Sequence, residues 1–381
     1  MTTTKFFYIY TFGCQMNKSD SERIAGVLAQ TGHYEPIEQS EKADILIFNS
    51  CAIRENAELR LFSRIRESNG LRKKTRHKQT LVLAGCVPQY EQEGLLKRYP
   101  YIDLIVGTNT IEYLPTLLES QSAKIYVKHE KKADEAVTLI RSAGDQAWVP
   151  IMYGCNNYCS YCIVPFTRGR EVSRKKEAIL EEIAQLKGGS SSEVTLLGQN
   201  VNSYGNGLYE DYSFANLLDQ VHEMHHVETL SFLTSHPKDM SEELIETIAR
   251  LPRISREIHV PLQAGDDNIL SAMNRGYTYQ DYLHIVRQIR KQITDARISS
   301  DLIVGFPGET EQHFQHTLRA VRDIGFYRVN TAAFSARKGT AAASLPNQVD
   351  ETIKHRRLLE LVAEVKASNP AKKQIEKPPH L

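Results

Sequence analysis

The chain has 381 residues, 41% of them hydrophobic, and its 47 Lys and Arg against 46 Asp and Glu leave a net charge of +1. That length predicts two or three domains with ordinary globular cores, and the near-zero balance excludes a globally basic nucleic-acid binder. No apolar run reaches the length of a membrane span, and the short Phe6-to-Tyr10 run lacks a cleavage-like site, so a cytoplasmic chain without membrane association is expected.

From Lys5 to Ser120 strand-like and helix-like stretches alternate. Strands are expected at Phe6 to Phe12, Asp44 to Ser50, Thr80 to Ala84 and Asp103 to Gly107. Between them lie a helix capped by Ser19 and ended by Thr31-Gly32, a second from Asn56 to Ser68, and a third from Thr110 to Ser120. This pattern predicts an N-terminal doubly wound α/β domain over residues 1–120. Residues 121–145 lack periodicity and read as a connector. Six β-like segments follow, at Trp148 to Tyr153, Glu193 to Leu197, Thr229 to Thr234, Glu257 to Leu262, Arg297 to Val304 and Arg328 to Phe334. Amphipathic stretches separate most of them: Lys176 to Lys187, Phe214 to Met224, Ser241 to Arg250, Tyr279 to Gln292 and Glu311 to Ile324. Six such units over 146–366 predict a partial (β/α)6 TIM-like barrel. Asp350 to Lys366 reads as a last helix, and the Lys- and Pro-rich residues 367–381 as a disordered tail.

The six cysteines fall into two sets of three. Cys155, Cys159 and Cys162 stand in a C-x3-C-x2-C run at the end of the first predicted barrel strand, whereas Cys14, Cys51 and Cys86 each close an apolar strand in the N-terminal domain. Thiolates at close spacing suit an iron-sulfur cluster, and three ligands leave one of four irons open for chemistry. In an open parallel sheet, residues far apart in sequence meet at the carboxyl edge, so Cys14, Cys51 and Cys86 predict a second three-thiolate site. Disulfides fit poorly in a long chain without a signal peptide; structural zinc and plain burial of small apolar thiols are the remaining rivals. Polar residues at the other barrel strand ends share that rim: Gln199 with Asn200, Ser235 with His236, Gln263, and Asp301 ahead of Gly305-Phe-Pro-Gly-Glu309. Turn and capping roles are the alternative for each. Two basic runs stand out. Arg72 to Lys78 reads as a solvated loop, and Arg168-Gly-Arg170-Glu-Val-Ser-Arg174-Lys-Lys176 could guide phosphates toward the Cys155 motif.

The run Tyr153-Gly-Cys155-Asn-Asn-Tyr-Cys159-Ser-Tyr161-Cys162-Ile-Val-Pro-Phe-Thr-Arg168-Gly-Arg170 resembles the radical S-adenosylmethionine methylthiotransferases of MiaB type. Further matches are Thr11-Phe-Gly-Cys14, Asn49-Ser-Cys51, Ala84-Gly-Cys86, Leu197-Gly-Gln-Asn-Val-Asn-Ser-Tyr204, Thr234-Ser-His-Pro237, His259-Val-Pro-Leu-Gln263, Met273-Asn-Arg-Gly-Tyr277 and Asp301-Leu-Ile-Val-Gly-Phe-Pro-Gly-Glu-Thr310. The resemblance implies two 4Fe-4S clusters, one on each set of three cysteines, and S-adenosyl-L-methionine as cofactor, with Tyr161, Gln199, Ser235, Gln263 and Asp301 near it and no catalytic residue beyond the cluster ligands. It implies methylthiolation at C2 of N6-isopentenyladenosine at tRNA position 37, with a flavodoxin- or ferredoxin-type electron donor; a monomer is expected. Siblings act on a threonylcarbamoyl adenosine or a ribosomal-protein aspartate, and a non-catalytic regulator is a further alternative. The resemblance also implies a terminal TRAM domain, which has no counterpart after Lys366. Phe334-Ser-Ala-Arg-Lys-Gly-Thr340 and Gln263-Ala-Gly depart mildly from the family pattern.

Overall fold

Runs such as Ile45-Leu-Ile-Phe48 and Leu81-Val-Leu-Ala84 are apolar on both sides of the pleat, as suits strands covered by helices on two faces. The computed structural model describes residues 4–52, 55–74, 78–120, 124–128, 139–141, 144, 146–188 and 192–369. The chain divides into two compact units, Met1–Asn156 with Ile163–Gln199, and Asn157–Cys162 with Asn200–Leu381.

The first unit begins with β1 (Lys5–Thr11), α1 (Gln15–Ala29), β2 (Tyr34–Pro36), β3 (Ile45–Ser50), α2 (Glu55–Lys74), β4 (Thr80–Gly85), α3 (Cys86–Glu91), α4 (Glu93–Arg98), β5 (Leu104–Gly107), α5 (Leu114–Ser120) and β6 (Ile125–Tyr126). All six strands are parallel, in the order β2-β1-β3-β4-β5-β6. Successive residues alternate between two cores. Ile45, Ile47, Val82 and Ala84 pack with Ile24 and Leu28 of α1 and Leu117 of α5, whereas Leu46, Phe48, Leu81 and Leu83 pack with Leu61 and Ile65 of α2 and Leu95 of α4. Truncating any of these large buried side chains to alanine costs about 2–5 kcal/mol. The doubly wound domain is thus present.

The same unit continues with β7 (Gln146–Pro150), β8 (Met152–Tyr153), α6 (Val164–Arg168), β9 (Val172–Ser173), α7 (Lys176–Ala184) and β10 (Glu193–Leu197). β7 and β10 pair in parallel, and β8 and β9 antiparallel. In the second unit the chain runs through α8 (Phe214–Glu223), β11 (Thr229–Phe232), α9 (Glu242–Arg250), β12 (Glu257–His259), α10 (Asp267–Ala272), α11 (Tyr279–Gln292), β13 (Arg297–Val304), α12 (Glu311–Ile324), β14 (Arg328–Ala333) and α13 (Glu351–Ser368). β12, β13 and β14 form a parallel sheet. In chain order β7, β10, β11, β12, β13 and β14 supply the six strands expected from the sequence, with helices following most of them.

Four local expectations change. α1 starts at Gln15 rather than after Ser19, because Cys14 serves as its N-cap. α2 runs on to Lys74, so Arg72 to Lys74 are helical, and Arg72 bonds Asp103 at 2.6 Å and the Tyr101 carbonyl at 3.0 Å. β6 lies within the expected connector and adds an edge strand beside β5. α10, which the sequence pattern did not separate, is capped by Asp266, whose carboxylate accepts from the Asn268 and Ile269 amides. Residues 75–77 of the first basic run, connector residues 121–123, 129–138, 142–143 and 145, and tail residues 370–381 lie outside the described residues.

Candidate functional site

β1, β3 and β4 are neighbours, with Thr11 beside Asn49 and Asn49 beside Ala84. Their carboxyl ends therefore carry Cys14, Cys51 and Cys86 along one sheet edge. Asn17 and Asn49 tie the three turns together. Asn17 Oδ1 accepts from the Cys14 amide at 3.3 Å, while its Nδ2 donates to Asn49 Oδ1 at 3.2 Å and to the Ser50 carbonyl at 3.0 Å. Asn49 Nδ2 returns a bond to the Asn17 carbonyl at 2.8 Å. Ser50 Oγ donates to the Ala84 carbonyl at 2.6 Å and accepts from the Val87 amide at 3.3 Å, linking the turn after β3 to that after β4. Every buried polar group so paired avoids a desolvation penalty of about 1–3 kcal/mol.

Two glycines allow this approach. Gly13 and Gly85 have φ of +138° and +99°; a β-carbon on the first would overlap the side chain of Cys51, and one on the second the Ser50 backbone. Sequence reasoning noted both residues only as parts of motifs.

The thiols differ in ionisation. A hydrogen bond with Cys51 and the charge of Arg168 bring Cys14 down to about 6 against the opposing effect of burial. Burial pushes Cys86 up, with Arg168 opposing. Arg168 closes α6, is buried, and makes a forked ion pair with Asp20 at 2.6 and 3.1 Å. The expectation that the Arg168-to-Lys176 run is a phosphate-guiding surface is therefore corrected in part. Arg174 is also buried, bonding Glu182 at 2.7 Å and the Pro150 carbonyl at 2.6 Å. Only Arg170 and Lys175 in that run are exposed.

The second set of cysteines straddles the unit boundary: Cys155 belongs to the first unit, Cys159 and Cys162 to the second. In the first, the Cys155 amide donates to the Gly169 carbonyl at 3.3 Å, and Gln199 Oε1 accepts from the Gly154 amide at 2.6 Å. Gly154, at φ +72°, has no room for a β-carbon beside the Arg170 carbonyl. In the second, the loop from Asn157 to Cys162 is pinned by the turn after α10. Ser160 bonds the Met273 and Ala272 carbonyls, and Asn274 Nδ2 donates to the carbonyls of Asn157 and Tyr158. Arg275 Nη1 donates to Cys159 Sγ at 3.3 Å and to Tyr161 Oη at 3.4 Å. Its Nε donates to Tyr277 Oη at 3.0 Å and its Nη2 to the Pro261 carbonyl at 3.0 Å. Burial raises both phenols, so Tyr161 and Tyr277 are neutral around that guanidinium. Arg275 was quoted in a motif but given no role from sequence.

The rim residues of the second unit form a connected polar set. Ser235 Oγ donates to the His259 carbonyl; His259 lies 3.2 Å from Asp301 Oδ2 and 3.0 Å from Ser299 Oγ; Asn330 Nδ2 donates to Asp301 Oδ1 at 2.8 Å. Gln263 is held at φ +75° by backbone bonds with Asp301 and Ile303, and its Oε1 is buried without a hydrogen-bond partner. His236 Nε2 is likewise buried without a partner, and burial together with Arg275 takes the ring down to about 2, leaving it neutral. Such orphaned atoms carry a desolvation cost that a bound polar ligand relieves.

None of the six cysteines is in a disulfide. Among the described residues no three of His, Cys, Asp and Glu converge tightly enough to hold a single metal ion. Structural zinc needs that tight convergence, whereas a cluster binds each thiolate at a separate iron.

Residues 149–321 match the family described as Radical SAM superfamily, and residues 6–107 match Uncharacterized protein family UPF0004. The chain is 45% identical over 365 residues to a tRNA-2-methylthio-N(6)-dimethylallyladenosine synthase of Thermoanaerobacter pseudethanolicus, covering 94% of this chain and 77% of the relative. It is 44% identical over 371 residues to a protein of that name from Carboxydothermus hydrogenoformans, covering 94% and 82%. Among solved structures, the radical S-adenosylmethionine methyltransferase TsrM of Kitasatospora setae aligns with a TM-score of 0.67 at 14% identity, over 90% of this chain and 77% of that one, a likeness of fold.

Proposed function

We infer what this chain does from the family it belongs to, the radical S-adenosylmethionine methylthiotransferases that include the tRNA-2-methylthio-N(6)-dimethylallyladenosine synthases. It is an enzyme that methylthiolates N6-isopentenyladenosine in tRNA, with S-adenosyl-L-methionine and 4Fe-4S clusters as cofactors. The observation that carries this reading is the extent of the likeness, 45% identity over 94% of the chain, with both sets of three cysteines inside matching motifs.

We assign one cluster to Cys14, Cys51 and Cys86 and the other to Cys155, Cys159 and Cys162. The donor sets suit this assignment: three soft thiolates in each, with a first trio already held along one sheet edge. The orphaned Gln263 Oε1 and His236 Nε2 suit a cofactor rich in amino, carboxylate and hydroxyl groups. When bound, the clusters and S-adenosyl-L-methionine supply the one-electron chemistry and the sulfur and methyl groups that an unactivated aromatic C–H carbon requires.

The protein's own residues bind and orient. Gln263, at a left-handed backbone position and with its Oε1 unpartnered, and neutral His236 offer hydrogen bonds that do not change with pH near neutrality. Asp301, fixed by His259 and Asn330, and Ser235 form the polar floor beside them, with Tyr161 as the aromatic wall and Gln199 bracing the turn before Cys155. Exclusion of water follows from the burial of Ser235, His236, Gln263 and Arg275. Residues 1–120 then serve as the sulfur-carrying domain and 146–366 as the radical domain. The electron donor is a reduced flavodoxin or ferredoxin, and the chain works as a cytoplasmic monomer off the membrane; no described helix is long and apolar enough to cross one.

The test is anaerobic turnover of the reconstituted chain with reductant, S-adenosyl-L-methionine and tRNA bearing isopentenyladenosine, read by nucleoside mass spectrometry. The 2-methylthio product is expected. A chain loaded with two clusters that yields neither this product nor 5'-deoxyadenosine would overturn the reading.

A further inference from the structure

Arginine is the one side chain that stays charged under any burial, so a buried guanidinium must be neutralised by its neighbours or impose its field on them. The chain buries one near each set of cysteines. Arg168 faces Cys86 and Cys14 but is forked onto Asp20, so its charge is matched. Arg275 is 4% exposed and touches Cys159 Sγ at 3.3 Å. Its other hydrogen-bond partners are two tyrosine hydroxyls and the Pro261 carbonyl. Among the described residues no carboxylate pairs with it. The sulfur within its reach is Cys159 Sγ, which would be its counter-charge once bound to a cluster as thiolate.

The guanidinium is rigidly placed. Nε and Nη2 are fixed by Tyr277 Oη and the Pro261 carbonyl, and Tyr277 Oη is itself anchored on the Pro261 and Leu262 carbonyls at 3.1 and 2.9 Å. With those two corners occupied, Nη1 has Cys159 Sγ and Tyr161 Oη as its partners. The same turn holds the cysteine loop through Asn274 and the Met273 carbonyl, so donor and thiolate move as one body.

We propose that Arg275 is a positioning residue that aims the Cys159 thiolate and raises the reduction potential of the cluster on Cys155, Cys159 and Cys162. Net charge and hydrogen bonds to the ligating sulfurs are among the factors that set such potentials; an unmatched positive charge favours the form carrying the added electron. This rests on the cluster assignment above. A raised potential would make that cluster easier to reduce by a given donor.

The experiment is an EPR-monitored redox titration of the full chain carrying Cys14→Ser, Cys51→Ser and Cys86→Ser, which leaves one cluster, with Arg275→Met and Arg275→Lys compared against that parent. At fixed potential the reduced-to-oxidised ratio is expected to fall about tenfold in Arg275→Met, equivalent to about 59 mV for a one-electron couple. Arg275→Lys keeps the charge but loses the fork, and is expected to fall by less. An Arg275→Met protein with full iron content and the parent potential overturns the proposal. Should the methionine variant fail to assemble, Arg275→Gln, which removes the charge and keeps a hydrogen-bond donor, decides: a lowered potential supports the proposal, and the parent potential overturns it. A parent that binds no redox-active cluster would instead count against the cluster assignment itself.

Discussion

The two sets of cysteines are built in opposite ways. Cys14, Cys51 and Cys86 come from three strands up to 72 positions apart in the chain, and a lattice of Asn17, Asn49 and Ser50 holds their turns together beneath a charge-matched Arg168-Asp20 pair. Cys155, Cys159 and Cys162 come from eight consecutive positions, and the part in the second unit is held by one turn whose arginine has no carboxylate. Sheet topology creates the first site; the spacing of one loop creates the second. The first is therefore sensitive to packing at a distance, and the second to the residues of a single turn.

The strongest way to break that comparison is to remove one cysteine from each. Cys159→Ala is expected to abolish 5'-deoxyadenosine formation, while Cys51→Ala keeps it and loses only the methylthio product; each should halve the iron bound. Loss of 5'-deoxyadenosine in both would show that the sites do not act separately. Next comes Gly85→Ala, which forces a β-carbon into the Ser50 backbone. Overpacking and backbone strain there should cost about 1–3 kcal/mol, and chemical denaturation should show the loss together with a missing cluster from the first site. Asn17→Ala leaves Asn49 Oδ1 and the Ser50 carbonyl without a donor, and is expected to cost about 1–3 kcal/mol in the metal-free chain. A value near zero would mean that the lattice is incidental.

The smallest effect concerns another buried arginine, Arg357, which bonds Glu309 at 2.8 Å and so resembles Arg168 rather than Arg275. Burial pushes Glu309 from an ordinary 4.5 up to about 7 despite that partner. Between those values the folded chain holds a proton that the unfolded chain has released, so this group's contribution to stability falls as pH rises from 4.5 to 7. Glu309→Gln should flatten that slope in thermal melts taken across the range; an unchanged slope would place the carboxylate's titration elsewhere.

Much of this was legible in the sequence because strand ends and cysteine spacing are local signals. The alternation that placed β3 and β4, and the apolar runs ending in Cys51 and Cys86, carry the sheet edge directly. The start of α1 was not legible, since cysteine is an uncommon cap and Asn17, Ser19 and Asp20 look like solvated polar residues; all three are buried, Asn17 against the sheet edge and Asp20 against Arg168. Arg168 and Arg174 were read as surface charge for the same reason: in a one-dimensional pattern a basic run looks exposed until Asp20 and Glu182 are seen to meet it. Arg275 sits more than a hundred residues from Cys159, and only packing brings them together.

The hydrogen-bonded lattice at the sheet edge separates the scaffold from the thiols it presents. Asn17, Asn49 and Ser50 join the three strand ends through amide and hydroxyl groups, so the turns that carry Cys14, Cys51 and Cys86 are tied to one another by residues other than the cysteines. A substitution at any one of the three cysteines is therefore expected to leave the other two in place.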